Sequence, residues 1–175
     1  MFQVNDLIVY GNEGVCSVKE ITTLDIAGID NSKLYYVLNP LYHDGTIYSP
    51  VDTNVSMRKV ITYEMAQQFI DEIPSIKVEK FKNSNLRELN DYYKSYFINH
   101  NCEDLLQLIK TVYEKKSSLA SCGKKLGQTD ENYMKKAEDL LYGEFSVALN
   151  ISKEEVKDYI GKRVEELESL NENVG

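Results

Sequence analysis

The sequence has no tryptophan, only two histidines, three prolines and three cysteines among its 175 residues. Each shortage excludes something. Cys16, Cys102 and Cys122 form an odd set without CxxC spacing, which argues against a disulfide framework or a zinc ribbon. His100 and Cys102, even joined by Cys122 or His43, supply an i, i+2 pair rather than a metal-binding motif, so no metal or other cofactor is expected. There is no GxSxG, no HExxH and no glycine-rich phosphate loop leading into a helix. The chain is therefore not expected to be an enzyme or to take a small-molecule substrate. No apolar run approaches the roughly 20 residues that span a bilayer, and the opening Met1-Phe2-Gln3-Val4-Asn5-Asp6 lacks a charged-then-apolar signal. A cytoplasmic protein without membrane contact is the expectation.

A net positive charge is missing too. The formal charge is -8, but it is unevenly placed. Residues 1–76 carry 4 basic against 10 acidic side chains, residues 77–136 carry 12 against 8, and residues 137–175 carry 4 against 10. Only the middle third is basic. Counterion release scales with the number of phosphates neutralised, so DNA affinity of the isolated chain should be weak and salt-sensitive. A second partner would have to deliver it to its site.

What is present falls into two kinds of pattern. Phe2–Tyr10, Val15–Ile21, Leu34–Leu38 and Thr46–Tyr48 are short β-branched or aromatic runs. Turn residues separate them, notably Gly11-Asn12-Glu13-Gly14 and Asp44-Gly45, and Pro50 ends pairing on its side. From Thr62 onward apolar residues recur every three or four positions, with helices expected from Thr62 to Pro74 and near Leu86–Ile98, Glu103–Lys116, Asp130–Leu149 and Lys153–Leu170. Asn85, Thr129 and Ser152 are candidate caps, and Ser152-Lys153-Glu154-Glu155 has capping-box spacing. The fold class is α+β: a small SH3-like or Tudor-like β-barrel over residues 1–60, then an all-helical domain of about five helices over residues 61–175.

The order of residues within these elements resembles a known family. Phe2-x-Val4-x-Asp6-x-x-Val9-Tyr10-x-x-x-Gly14-Val15, then Tyr36-x-Leu38, Thr46-Ile47-Tyr48-x-Pro50-Val51 and Met57-Arg58-x-Val60-Ile61 look like the N-terminal module of CarD/CdnL transcription regulators. That module is shared with the polymerase-interacting domain of transcription-repair coupling factor. Leu105-Leu106-x-Leu108-Ile109-Lys110-x-Val112-Tyr113 and Ala137-x-x-Leu140-Leu141-x-Gly143-Glu144-Phe145 extend the resemblance into the helical half.

The resemblance implies a bacterial factor that docks its barrel on the RNA polymerase β subunit, by adding a strand to a polymerase sheet, and lays its helical domain on promoter DNA at the upstream edge of the melted bubble. The family's docking positions fall on Leu24, Ile26 and Tyr48, the first and last being arginine in some members. The family also places a Trp near the start of the second helix of its C-terminal domain, as a minor-groove wedge. Here Ser84-Asn85-Leu86 is the matching segment and Leu86 takes the wedge position. Leucine is among the apolar side chains that minor-groove proteins insert between base steps. Arg87, Lys124, Lys125 and Lys135, with Lys136, are the implied DNA contacts, while Glu88 and Glu131 stand where basic residues occur in relatives.

Plainer readings compete at each point. Leu86, Leu89 and Tyr93 share helical spacing, so Leu86 is equally explained as core. Lys124 and Lys125 fit a solvated loop as well. Tyr35, Tyr36, Tyr42 and Tyr48 suggest a cage for a methylated amine, but alternating strand residues fill a barrel core in any case. Two functions from different classes remain: a regulator that bridges polymerase and promoter DNA and tunes the open complex, or a polymerase-bound adaptor whose helical domain holds another protein without touching DNA.

Overall fold

The computed structural model describes residues 1–78 and 85–172. The chain divides into two compact units, Met1–Ile61 and Thr62–Gly175. The first contains five strands: β1 Leu7–Tyr10, β2 Gly14–Thr22, β3 Tyr35–Pro40, β4 Ile47–Pro50 and β5 Met57–Lys59. The second contains α1 Tyr63–Glu72, a 3-10 turn Ile73–Ser75, α2 Leu86–Ser95, α3 Cys102–Ser121, α4 Gln128–Leu149 and α5 Lys153–Glu172. Among the described residues, no helix is long and apolar enough to cross a membrane.

In the first unit all pairings are antiparallel and the strand order is β4-β3-β2-β1-β5. The β1–β2 turn works because Gly11 and Gly14 adopt φ of +47° and +80°, a region that L side chains avoid. A Cβ at Gly11 would also meet Val55 Cγ1 at 3.2 Å. Phe2–Asp6, expected as strand, instead forms a turn: Asn5 has φ of +74° and donates its N–H to Val18 O, and Asp6 N–H donates to Gln3 O. The β2 register shifts between Val18 and Glu20, a bulge that bends the strand and increases its twist.

That bend matters because five short strands cannot bury a core while flat. Ile8, Cys16, Val18, Tyr36 and Leu38 form a sealed cluster, and Ile47 from one edge strand and Met57 from the other both pack against it. Tyr10 Oη on β1 reaches Ser49 Oγ on β4 at 3.3 Å, although β2 and β3 lie between them in the ladder. The sheet therefore curls around its core. Its backbone ladder does not close, however, and runs from β4 to β5 with an edge at each. Burial pushes the Cys16 thiol up to about 11, so this cysteine is a packed, unreactive side chain.

The helical unit starts where its caps dictate. Thr62 Oγ1 accepts from Met65 N–H (3.2 Å), Asn85 Oδ1 from Glu88 N–H (2.9 Å) and Asn101 Oδ1 from Asp104 N–H (2.8 Å). Glu155 Oε2 accepts from Ser152 N–H at 2.9 Å, the reciprocal arm of a capping box. Thr129 does not cap α4. That helix begins two residues earlier with Gly127 at the N-cap, and Thr129 lies in its first turn. The core draws on α1 (Ala66, Ile70), α2 (Leu89, Tyr93), α3 (Leu108, Val112), α4 (Ala137, Leu141, Phe145) and α5 (Val156), all buried.

An ion pair fastens α1 to α5. Arg163 donates from Nε to Asp71 Oδ1 (2.7 Å) and from a terminal nitrogen to Oδ2 (3.1 Å), a bidentate fork. Gln67 and Tyr159 are hydrogen-bonded on the same seam. The Arg163 guanidinium holds the Asp71 carboxyl below its ordinary range. A depressed carboxylate contributes stability above its unfolded pKa of about 3.9, and loses it as pH falls through the folded value. Arg163→Gln should therefore lower the urea midpoint at pH 7, and the deficit should shrink steadily below about pH 4. A deficit that is constant between pH 7 and pH 3 would show that the fork contributes nothing through charge.

Candidate functional site

The first candidate surface is the β4 edge. Val51 N–H donates to Leu34 O at 3.0 Å, which makes Leu34/Val51 a hydrogen-bonded pair. Because such pairs alternate along an antiparallel ladder, Tyr36/Ser49 and Leu38/Ile47 are hydrogen-bonded too, and Tyr48 stands opposite Val37 in a non-hydrogen-bonded pair. The Tyr48 N–H and C=O consequently point off the open edge, away from β3. Its side chain is 48% exposed, on the face opposite Tyr36 and Leu38. Pro50 has no N–H to offer and its C=O accepts from Thr53 N–H (3.1 Å), so the edge available to another strand centres on Tyr48.

The other two docking positions separate. Ile26 is 45% exposed, in the connection between β2 and β3, whereas Leu24 is 8% exposed and packs as core. Of the docking positions implied by the resemblance, Leu24 thus has little side-chain area of its own to offer a partner. Lys33 Nζ pairs with Asp52 at 3.1 Å and ties this connection to the stretch just after β4. Leu34, read from the sequence as an ordinary strand residue, is exposed beside it. The tyrosines do not make a cage. Tyr35 and Tyr36 are buried, and Tyr42 and Tyr48 are exposed.

The second candidate surface is on the helical unit. Leu86 is the first residue of α2 and is 63% exposed. It does stand on one line with buried Leu89 and Tyr93, but at the N-terminal end of that line, and is itself exposed. The core alternative is thereby removed. Arg87 is exposed next to it; Ser84 lies outside the described residues. Lys124 and Lys125 are exposed in the six-residue connection between α3 and α4, and Lys135 and Lys136 are exposed on α4. Lys136 Nζ lies 4.7 Å from the centre of the Phe97 ring, a cation–π contact. Among the described residues, Arg87, Lys124, Lys125 and Lys135 enter no ion pair, which leaves their charge for an anionic partner.

Asp130 and Lys115, which the sequence did not single out, join these elements through Tyr93. Asp130, the third residue of α4, is buried, and its Oδ1 accepts from Tyr93 Oη on α2 (2.6 Å) and from Lys115 Nζ on α3 (2.8 Å). Burial and the adjacent carboxylate push the Tyr93 hydroxyl well above its ordinary range, so it is a permanent donor. Tyr133 Oη donates to Asn90 Oδ1 (3.1 Å) along the same α2–α4 seam. Acid in the first turn of a helix is ordinary dipole chemistry, so the sequence holds no signal that this one is buried. Cys102 donates its thiol to Glu144 Oε2 at 3.3 Å inside the core. Among the described residues no three His, Cys, Asp or Glu side chains converge as metal ligands.

Comparison with known proteins bears on the first surface. Residues 2–61 match the family model of the CarD-like/TRCF RID domain, a module of transcription-related proteins that interacts with RNA polymerase. No curated protein matches the chain. The sheet unit is therefore the CarD-like domain that its motifs indicate, and the match ends where the helical unit begins.

The exposure of Leu86 has a direct thermodynamic consequence. Leu86→Ala should change stability by no more than about 0.5 kcal/mol, as at other exposed positions. Leu89→Ala, one turn on and buried, should cost about 2–5 kcal/mol through the cavity it leaves. Urea melts of the two variants check this, and equal losses would return Leu86 to the core.

Proposed function

We propose that this protein is a transcription regulator that docks its sheet unit on the RNA polymerase β subunit and applies its helical unit to promoter DNA at the upstream edge of the bubble. The observation that carries the reading is the match of residues 2–61 to a polymerase-interacting domain, together with an open β4 edge centred on Tyr48. The curled sheet supports an SH3-like or Tudor-like module. In this reading the Tyr48 backbone extends a polymerase strand, with main-chain hydrogen bonds supplying affinity and Tyr48 and Ile26 supplying side-chain contact.

On the DNA side, Leu86 is the apolar wedge and Arg87, Lys124, Lys125 and Lys135 contact phosphates. An acidic chain cannot hold DNA by charge alone, and docking on polymerase solves this by raising the local concentration of the lysine-bearing unit at the promoter. A regulator that contacts the melted state better than the closed state then shifts the balance toward opening by its difference in affinity. The role is one of binding, without a catalytic step, in the cytoplasm where polymerase works. The acidic helix α5 favours one competing reading, an adaptor that meets a basic protein instead of DNA.

Tyr48→Glu should weaken capture of the full chain by the β subunit at least about tenfold, because an unpaired carboxylate at an interface costs several kcal/mol. Its melting curve should match the parent. Undiminished capture would remove Tyr48 from the interface.

The free chain should bind random duplex no tighter than micromolar at physiological salt, within the usual non-specific range of about 10⁻⁴–10⁻⁶ M. With polymerase present, Leu86→Ala should shorten open-complex lifetime, and Leu86→Trp should lengthen it, since a larger flat side chain covers more of an unstacked base step. Unchanged lifetimes for both variants would leave the adaptor reading standing.

A further inference from the structure

Resting on the DNA reading just given, we propose that Tyr93, Asp130 and Lys115 are positioning residues that hold the wedge of α2 and the lysine loop between α3 and α4 in fixed relation. The two DNA-facing features belong to different elements, and a wedge acts only if phosphates are gripped at a matching distance. One atom refers both to a common point. Asp130 Oδ1 takes the Tyr93 hydroxyl from α2 and the Lys115 ammonium from α3, at 2.6 Å and 2.8 Å. Lys115 precedes the loop bearing Lys124 and Lys125, and Asp130 follows it, so their ion pair closes the base of that hairpin. Tyr93 lies two helical turns from Leu86 along α2, about 10 Å at 1.5 Å per residue. A shift of α2 about this bond therefore moves the wedge.

Directional bonds do here what apolar packing alone does not. Tyr93 also stacks against Tyr133 with ring centres 5.2 Å apart, and such contacts tolerate sliding. The hydroxyl does not. It is fully buried, so losing its acceptor would strand it away from water, and the seam has a single satisfied register. Lys115, its side chain 37% exposed, neutralises the carboxylate without being sealed in itself.

A double-mutant cycle on full-length protein in polymerase–promoter complexes tests the role, with open-complex lifetime as readout. Leu86→Ala should shorten lifetime in the parent. In a Tyr93→Phe background, which keeps the ring and removes the donor, the same wedge substitution should have an effect at least about twofold smaller, as coupled positions show. Capture by the β subunit should be unchanged by Tyr93→Phe. Melting curves come first: should Tyr93→Phe be unfolded at the assay temperature, Lys115→Met replaces it, since that partly exposed side chain can be removed without opening the core. Equal wedge effects in the parent and in a folded Tyr93→Phe or Lys115→Met background would mean that the bonds serve stability alone, and would overturn the proposal. No wedge effect even in the parent would instead remove the DNA reading, and the proposal with it.

Discussion

Sixty residues in a five-stranded antiparallel sheet bury little surface unless the sheet curls, and the sheet unit is organised by that constraint. The bulge in β2 bends the sheet, and Ile47 and Met57, from the two edge strands, meet on one apolar cluster. Curling without closing the ladder leaves two open edges. Those edges differ. At β5 the three residues include Arg58 and Lys59, charges that discourage pairing with another strand. At β4 the exposed backbone carries Tyr48, and Pro50 limits the reach of any added strand. One edge is thus protected and the other is available, within a domain matched to polymerase interaction.

The helical unit follows a different logic. Its core is a conventional apolar interior, with a buried carboxylate at the junction of three helices. Replacing one such polar cluster by well-packed hydrophobes is often neutral for stability, so its presence asks for a reason other than stability. Fixing the angle between α2 and the α3–α4 hairpin is such a reason, because Leu86 and Arg87 sit at the start of α2 while Lys124 and Lys125 sit in the connection between α3 and α4. Of the cations that enter no ion pair among the described residues, Arg87 lies at a helix start, Lys124 and Lys125 in a loop and Lys135 on α4, while α5 is studded with acid.

The sequence by itself determined much of the architecture. Alternating β-branched runs with glycine turns, then a 3.6-residue period with Thr62, Asn85 and Ser152 at helix starts, are local signals, each set by a residue's own conformational preference or its hydrogen bond a few residues away. Motif order also carried the family of the first 61 residues. Where local signals are weak, contacts from elsewhere in the sheet decide the conformation. β5 has three residues, two of them cationic, and becomes a strand only because β1 offers it partners. Asn5 turns the chain before β1 by donating to Val18, which lies outside the Phe2–Tyr10 run that suggested a strand.

Only the tertiary structure decided which of these residues are buried and which are exposed. Leu24 and Ile26 are equivalent as sequence, two apolar residues in one connection, yet one is core and the other is exposed. Leu86 follows the periodicity of buried residues and is exposed all the same, because periodicity defines the line of a helix face but not where the packing against it ends. Asp130 looks like any first-turn acid until α2 and α3 close over it. Burial and the pairing of distant polar groups belong to the assembled chain, since they depend on what lies across the gap and not on what lies beside each residue in sequence.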